Sequence, residues 1–252
     1  GTVTLEPRQG NPSPRLVRNT REKSLINSLG FPGIGAEAVL QNLEKSAVKP
    51  LVLSVSGLTL EGFVECFRLM EPKADGIEIN ISSPNTAGLK IFHKPGMFRT
   101  LLEQINTKRK KPLFVKIPHY SDEESQQTVL GLVGTARQMG VDGITAANTK
   151  PVQESRLMVG SGGLSGKPMF HDTVRIVADV RKEVGDSIAV NACGGIFNPQ
   201  EAIQALAHGA NTVQLYTGLI YEGPGVARSI NRGLSRYLTD NNLTSIKDLQ
   251  RT

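Results

Sequence analysis

Short β-branched apolar runs alternate with longer amphipathic stretches from about residue 50 onwards, and this alternation restricts the possible folds more than any other feature of the sequence. The apolar runs cover residues 50–56, 76–82, 113–118, 143–148, 188–195 and 212–218. Between them, apolar residues recur at spacings of three and four, as in residues 128–139 and 201–207, which predicts helices. A repeated strand–helix–strand order predicts a parallel sheet of six strands.

Two α/β architectures could contain these strands: a doubly wound sheet and an incomplete TIM (β/α)8 barrel. A dinucleotide-binding doubly wound sheet would carry G-x-G-x-x-G after its first strand, and the sequence contains no such stretch. Polar and glycine residues instead follow nearly every strand, on the rim where barrels place their sites. Gly194-Gly195 and Thr217-Gly218 follow the last two strands, where barrels hold phosphate. We therefore predict a TIM (β/α)8 barrel, and 252 residues match its usual length of roughly 250.

Residues 1–49 do not share this alternation. Turn-forming residues cluster at 10–14 and 29–33, and a helical pattern returns only at 36–43. No linker and no internal repeat divides the chain. We therefore expect residues 1–252 to form a single domain with an irregular opening.

The formal charge of +6 raises the question of a nucleic-acid partner. The basic residues are scattered, and the one dense run, at 108–111, is typical of a solvated loop. Aromatic residues make up only 5% of the chain and tryptophan is absent, which leaves little for base stacking. A basic balance suits a small phosphate or carboxylate ligand as well. The sequence favours no nucleic-acid partner.

Other residues with potential chemistry lack the neighbours that a site requires. The four histidines show no metal-ligand spacing, so we predict no metal. Cys66 and Cys193 cannot build a disulfide framework, and Cys193, inside a predicted strand, is expected to be a small core residue. Glu78 and Asp142 are interpreted as isolated acids. No apolar run approaches the ~18 residues of a membrane span.

Residues 80–89, Asn-Ile-Ser-Ser-Pro-Asn-Thr-Ala-Gly-Leu, are the most informative stretch. Two asparagine amides flank a serine at a strand end, where they could bind a planar ligand rich in C=O and N–H groups. Serine, proline, asparagine and glycine also favour turns, so a purely structural turn is the alternative. The stretch alone does not decide between the two.

The chain strongly resembles the dihydroorotate dehydrogenase family, specifically its quinone-dependent class 2 branch. The resemblance runs in family order through residues 1–4, 10–12, 14–16, 26–27, 30–31, 80–89, 115–117, 148–149, 162–168, 194–196 and 215–225. It implies FMN-dependent oxidation of dihydroorotate to orotate in pyrimidine biosynthesis, with electrons passed to a quinone. The alternatives are a related FMN dehydrogenase with another substrate or acceptor, and a barrel that binds a phosphate or nucleotide without redox chemistry.

The resemblance assigns roles to individual residues. Ser83 matches the general base, a position that is cysteine in class 1 enzymes, and Thr86 is close enough in sequence to join a proton relay. Lys116 matches the cation near flavin N1 and O2, which stabilises the reduced flavin. Arg18 and Tyr216 match the quinone site. The substrate set implied by the family is Asn27, Ser28, Leu29, Gly30, Phe31, Asn80, Asn85, Asn148 and Thr149. The implied FMN set is Thr2, Ser54, Asn80, Lys116, Ala147, Gly166, Gly195, Tyr216 and Thr217.

Three stretches depart from the family pattern. Residues 54–57 (Ser-Val-Ser-Gly) stand where a flavin-contacting asparagine followed by Gly-Lys-Asn is usual. Ala147 replaces a threonine that usually contacts FMN, and residues 118–120 (Pro-His-Tyr) replace Ala-Pro-Asp. These departures bear on flavin affinity and on the identity of the electron acceptor.

The family pattern also begins before Gly1, with a helical membrane-binding segment and a strand that ends in Asp-Lys. Residues 1–4 match the tail of the second barrel strand, so we expect a barrel with a gap beside the strands at 50–56 and 212–218. The resemblance implies that the full-length protein associates with a bacterial or mitochondrial inner membrane through the upstream segment. The chain as given is expected to behave as a soluble domain.

Overall fold

The computed structural model of the protein describes residues 1–43, 49–84, 86 and 88–250. Its strands, in chain order, are β1 (Leu16–Asn19), β2 (Ser24–Asn27), β3 (Val52–Val55), β4 (Gly76–Asn80), β5 (Leu113–Lys116), β6 (Gly143–Ala146), β7 (Lys150–Gln153), β8 (Ser161–Gly166), β9 (Ala189–Cys193) and β10 (Thr212–Gln214). They form a six-stranded sheet in the order β10-β9-β6-β5-β4-β3 and a four-stranded sheet in the order β1-β2-β8-β7.

The α-helices of the described residues are α1 (Ala36–Leu43), α2 (Leu60–Met70), α3 (Pro95–Asn106), α4 (Glu123–Gln138), α5 (Phe170–Val184), α6 (Pro199–Ala207), α7 (Thr217–Glu222) and α8 (Val226–Asp240). The helices predicted at 36–43, 128–139 and 201–207 are confirmed as α1, α4 and α6, with boundaries that differ by a few residues. Shorter 3₁₀ turns cover Glu71–Lys73, Leu89–His93, Lys167–Met169 and Ile246–Gln250.

Side-chain caps explain where several helices begin. The Thr59 hydroxyl accepts a hydrogen bond from the Gly62 N–H at 3.1 Å at the start of α2. Asp122 forms a capping box with Ser125 at the start of α4, and Asn198 accepts from the Glu201 N–H at the start of α6. Each cap satisfies a backbone N–H that the first helical turn would otherwise leave unpaired.

The predicted parallel strands are confirmed, all six in the predicted order along the chain. Each runs parallel to its neighbours, and β4 is buried at every residue because helices cover the sheet from outside. The sheet is a curled half-barrel, and no described residues pair β10 with β3. Val3 lies along the β3 edge, where its N–H donates to Ser54 O at 2.8 Å and its C=O accepts from Ser56 N at 2.9 Å. Residues 1–4 therefore continue the sheet at the predicted place.

Residues 1–15 and 28–35 form no helix or strand beyond isolated bridges, but residues 16–27, which we expected to be irregular as well, form two strands. β1 and β2 form a hairpin, β2 pairs with β8, and β8 pairs with β7, all antiparallel. We call this four-stranded sheet the cap sheet. It packs on a small cluster of Val17, Ile26 and Leu157. Its strands are mostly short and the hairpin turn lacks glycine. In addition, β8 lies more than a hundred residues from β2. No local sequence pattern therefore predicts the cap sheet.

The two acids that we interpreted as isolated have partners, which corrects that interpretation. The Asp142 carboxylate pairs with Arg109 and accepts from the Leu113 N–H at 2.8 Å. Glu78 is buried inside the sheet and accepts from the Thr145 hydroxyl at 2.7 Å. Residues 108–111 lie in a loop, as predicted. Among the helices of the described residues, none is both long and apolar enough to cross a membrane.

Candidate active site

A cavity of about 420 Å³ lies between the carboxyl ends of the parallel strands and the cap sheet. Residues at or just after the carboxyl ends of β4, β5, β6, β9 and β10 line it, and the cap sheet contributes Arg18, Leu25, Asn27 and Leu164. Parallel strands end at one edge, so residues far apart in sequence meet there. The cavity is therefore on the rim where the sequence predicts a site.

The structure brings nearly all of the predicted site residues to this cavity. Its lining contains Thr2, Arg18, Asn27, Leu29, Gly30, Phe31, Asn80, Ser83, Lys116, Ala147, Asn148, Thr149, Gly166, Gly195, Tyr216 and Thr217. Ser54 lies behind the wall, with its hydroxyl 3.1 Å from that of Thr2. Ser28 is buried, and its hydroxyl has no hydrogen-bond partner among the described residues. Asn85 lies outside the described residues.

A chain of hydrogen bonds fixes two of the predicted asparagines. The Asn80 Nδ2 donates to the Thr2 hydroxyl at 2.9 Å, and the Asn80 Oδ1 accepts from the Ser82 hydroxyl at 2.7 Å. The same Ser82 oxygen accepts from Asn148 Nδ2 at 2.8 Å. Each amide Nδ2 has two hydrogens and uses one of them in these contacts. The chain therefore leaves a donor on each asparagine while holding both amides in place.

Asn27 approaches the same cavity from the cap sheet. Its Nδ2 donates to Gly163 O at 3.3 Å, and its Oδ1 accepts from the Leu29 N–H at 3.5 Å. Thr149 packs directly against Gly163, since a Cβ on Gly163 would lie 2.0 Å from the Thr149 hydroxyl oxygen. Glycine at position 163 therefore allows the cap sheet to approach Thr149 this closely.

Ser83 faces the cavity and has one described hydroxyl neighbour. Its Oγ lies 3.0 Å from the Thr86 Oγ1, and Thr86 is buried. A serine hydroxyl is a poor base at its ordinary pKa, so proton removal requires a group that can take the proton on. The Ser83–Thr86 contact supplies the first step of such a relay.

Lys116 is the cation at the inner end of the cavity. Burial lowers its pKa, Cys193 and Glu78 raise it, and the net shift is upward, so the side chain stays an ammonium at neutral pH. Its Nζ donates to the Cys193 Sγ at 3.6 Å. A buried positive charge at this position would stabilise an anionic ligand in the cavity.

Two pairs of residues form a cradle of backbone N–H groups. Gly194 and Gly195 follow β9 at φ 131° and 71°, and their N–H groups donate to no described protein atom. A Cβ on Gly195 would lie 2.4 Å from the Phe170 N, so the backbone can take this path only with glycine. Thr217 and Gly218 line the same side. Free N–H groups of this kind suit a phosphate.

These features fit FMN in three respects. The N–H cradle suits its phosphate, the Lys116 ammonium suits the negative end of a reduced isoalloxazine, and both line one cavity of about 420 Å³ that has room for a ribityl chain. The cavity wall is also partly apolar, with Leu25, Leu164, Met169 and Ile196. No group of histidine, cysteine, aspartate and glutamate side chains in the described part of the chain could hold a metal ion.

Arg18 and Tyr216, the residues implied for the quinone, lie at the outer end. The Arg18 guanidinium carbon is 5.7 Å from the centre of the Tyr221 ring, and Tyr221 donates its hydroxyl to Ser24 O at 2.9 Å. The Tyr216 side chain is 71% exposed. Both residues line the cavity and are exposed, whereas Lys116 at the other end is half-buried.

Sequence reasoning missed two side chains of this site. Ser82 joins the two asparagine amides, and the signal was its place two residues after Asn80, because alternate residues of an extended chain point to the same side. Cys193 is not a core residue, as we had expected, but lines the cavity beside Lys116. The strand pattern could not show this, because the central residues of β9 are buried on both sides of the sheet.

Comparison with known proteins shows one consistent family. The family model described as Dihydroorotate dehydrogenase matches residues 1–238. A protein of Roseiflexus sp. (strain RS-1) named Dihydroorotate dehydrogenase (quinone) is 32% identical over 265 residues, which cover 98% of this chain and 73% of that protein. A protein of the same name from Coxiella burnetii (strain Dugway 5J108-111) is 34% identical over 251 residues, covering 91% and 72%.

Two solved structures with DHODH in their titles are similar to this chain in fold. The crystal structure of ligand-free DHODH from Eimeria tenella superposes with a TM-score of 0.89 at 27% identity, covering 99% of this chain and 79% of that one. The Eimeria tenella DHODH in complex with ferulenol gives a TM-score of 0.86 at 26% identity, covering 99% and 76%.

Proposed function

The chain belongs to the dihydroorotate dehydrogenase family of oxidoreductases, and from this premise we propose that it binds FMN and oxidises dihydroorotate to orotate, with a quinone as the electron acceptor. The observation that carries the proposal is the single cavity in which Ser83, the asparagine amides and Lys116 face one another. This reaction serves pyrimidine biosynthesis. We further propose that residues 1–252 act as one FMN-binding unit.

The asparagines hold the substrate ring. Asn80 and Asn148 are locked through Ser82, and each keeps a free amide hydrogen for the ring carbonyls. Asn27 and Thr149 contribute polar groups from the cap side of the cavity. Because these amides are already in place, binding does not have to order them, and the reacting carbon is held at one position relative to Ser83.

Ser83 removes the proton from C5 of the substrate. Its hydroxyl proton moves to the Thr86 oxygen as the substrate proton arrives, and the Thr86 hydroxyl passes its own proton on to solvent, so both hydroxyls are neutral before and after the step. Bound FMN would supply the acceptor for the hydride that leaves C6 and would then reduce the quinone. Lys116 lowers the free energy of the negative charge that develops at the inner end of the cavity.

Four residue groups would hold the cofactor. The N–H groups after β9 and at Thr217-Gly218 would bind the phosphate, Gly166 and Ala147 would leave room for the ribityl chain and the ring, and Lys116 would contact the pyrimidine side of the ring. Glycine at position 166 is required by the protein itself, since a Cβ there would lie 2.3 Å from Lys23 O. Thr2, Asn80 and Tyr216 also line the cavity, and Ser54, the last residue of the predicted set, contacts Thr2 behind the wall.

The acceptor would approach from the outer end, at Arg18 and Tyr216. Tyr216 presents an exposed aromatic ring, and Arg18 is held over Tyr221, so an aromatic acceptor could stack there without crossing the buried amides. Quinones reside in membranes, so we propose that the protein works at a membrane surface.

The test measures FMN uptake and flavin reduction separately. The purified chain should take up FMN and turn yellow, and dihydroorotate should bleach the flavin under anaerobic conditions. Ser83→Ala should slow this bleaching by about 10²-fold or more, because the base is lost, while FMN stays bound. Ser82→Ala is the matched control. It should weaken orotate binding, because the asparagines lose their anchor, but it should slow the bleaching less than Ser83→Ala does.

A preparation that stays colourless with added FMN would overturn the flavin proposal and favour a phosphate-binding barrel without redox chemistry. Bleaching at the wild-type rate in Ser83→Ala would show that another group removes the proton. An anaerobic acceptor panel with quinones, fumarate and NAD⁺ would identify the acceptor.

A further inference from the structure

Lys116 and Cys193 form an unusual pair at the inner end of the cavity. The Lys116 side chain is half-buried at the cavity wall, and in the part of the chain that the structure describes its only hydrogen-bond acceptor is the Cys193 sulfur, at 3.6 Å. A thiol sulfur is a weak acceptor. An ammonium removed from water usually has oxygen or carboxylate partners, because its desolvation is costly.

The surroundings offer the ammonium little else. Glu78, one strand away on β4, is held by the Thr145 hydroxyl at 2.7 Å and influences Lys116 only through its charge. β6 and β10 flank β9 on either side, and next to Cys193 they present the uncharged Ala147 and Gln214. The residue at position 193 therefore determines how strong a hydrogen-bond acceptor the protein offers to the Lys116 ammonium.

This leaves Lys116 with two competing partners: the Cys193 sulfur, and any acceptor atom of a ligand in the cavity. The better the protein-side partner, the less the ammonium gains from a negative ligand. Under the proposed function, that ligand is the reduced flavin. We propose that Cys193 is a positioning residue for Lys116, which holds the ammonium at the cavity wall and sets how strongly it favours reduced over oxidised FMN.

The first experiment measures the two-electron midpoint potential of bound FMN in variants of residue 193. Cys193→Val removes the acceptor and keeps a similar side-chain volume. The ammonium should then interact more strongly with the flavin, and the preference of the site for reduced over oxidised FMN should rise by about tenfold. For a two-electron couple this corresponds to about 30 mV in the positive direction. Cys193→Ser supplies a better acceptor than the thiol and should shift the potential slightly in the negative direction. Cys193→Asp adds a permanent anion and should shift the potential in the negative direction.

A cysteine elsewhere in the chain provides the matched control. Cys66 is fully buried on α2, and burial raises the pKa of its thiol to about 12. Cys66→Val should leave the midpoint potential unchanged. Equal potentials in the Val, Ser and Asp variants of residue 193, with FMN bound to all three, would overturn the inference while the proposed function stands.

The second experiment needs no bound flavin and tests the pair itself. Iodoacetamide alkylates a thiol when the sulfur forms a bond to its CH₂ carbon and iodide leaves, and a neighbouring positive charge favours the negatively charged sulfur that attacks. In the FMN-free chain, peptide mass spectrometry should show Cys193 alkylated at least tenfold faster than Cys66. Lys116→Met should slow the labelling of Cys193 about tenfold, and Lys116→Arg should restore it.

The two experiments separate the possible failures. Added FMN should protect Cys193 in proportion to its occupancy, since both residues line the cavity. A labelling rate that Lys116→Met leaves unchanged would show that the pair does not exist in solution and would overturn the inference. Lys116-dependent labelling without protection by FMN would support the pair and contradict the proposed flavin site.

Discussion

The parallel sheet and the cap sheet face each other across the same cavity, but they are stabilised in different ways. β4 is buried at all of its residues, within one continuous apolar core that runs from the sheet into the surrounding helices. The cap sheet rests on Val17, Ile26 and Leu157, and β1 and β7 are partly exposed. The groups assigned to chemistry, Ser83 and Lys116, are on the rigid side. Contacts from the cap sheet can therefore change with less loss of stability.

The largest expected effect compares one isoleucine from each sheet. Ile79 on β4 is fully buried, so Ile79→Ala should lower the free energy of unfolding by about 4 kcal/mol, from lost burial and the cavity left behind. Ile26→Ala in the cap sheet should cost about 2 kcal/mol, because its cluster is small and close to solvent. Urea denaturation of both variants measures the difference.

A second readout shows where each change acts. Hydrogen exchange in Ile26→Ala should speed up in β1, β2 and β8 and stay near wild type in the parallel strands. Equal losses of stability, with exchange raised throughout the molecule, would mean that the two sheets unfold as one unit.

The next effect concerns the contact between the cap sheet and the site. Gly163→Ala places a Cβ within 2.0 Å of the Thr149 hydroxyl, so Thr149 or β8 has to shift. We expect a loss of about 1–2 kcal/mol in stability and roughly tenfold weaker orotate binding, which calorimetry measures. Gly33→Ala is the control, since a Cβ there meets nothing within 4 Å. Unchanged orotate affinity in Gly163→Ala would show that Thr149 does not contact the substrate.

The smallest effect is a pH dependence that belongs to the parallel half. His93 is held against Ile81 O at 2.7 Å, and burial lowers its pKa below the ordinary 6.5, with a further contribution from the charge of Lys90. Below pH 6.5 the unfolded chain binds the proton more readily than the folded one, so stability should fall by up to about 1 kcal/mol as the pH drops through that region.

His93→Gln should flatten this dependence between pH 7 and 5, as followed by urea denaturation. The variant should not abolish the pH dependence of stability, because burial also lowers the pKa of His119. His208→Gln, at an exposed position outside the cap sheet, should leave the slope as it is. A slope unaffected by His93→Gln would assign the pH dependence to other groups.

The two sheets also differ in how much of them the sequence predicts. The parallel strands repeat a local pattern of apolar run and amphipathic helix, so the six strands of this sheet could be located from periodicity alone. The cap sheet has no such pattern, since β8 is rich in glycine and β2 pairs with a strand far away. Its existence depends on tertiary contacts that no short window contains.

The site residues at the ends of the parallel strands were predictable, because these strands themselves were. Ser83, Lys116 and Asn148 follow parallel strands, whose ends must meet at one rim. Ser28 and Ser54 were expected at the ligand and lie behind the cavity wall, because a family resemblance assigns positions without side-chain directions. Cys193 was missed because its role comes from Lys116, a neighbour in space that is 77 positions away in sequence.

The pairing of β2 with β8 has a consequence for the order in which the chain folds. The contact between Asn27 and Gly163 closes a loop of 136 residues, whereas β3 and β4 pair across 24. Closing the longer loop costs more chain entropy until the strands between have collapsed. We therefore expect β1 and β2 to dock last, after the parallel strands have formed. The cavity exists only from that moment, so its ligands can slow unfolding but cannot speed the earlier steps.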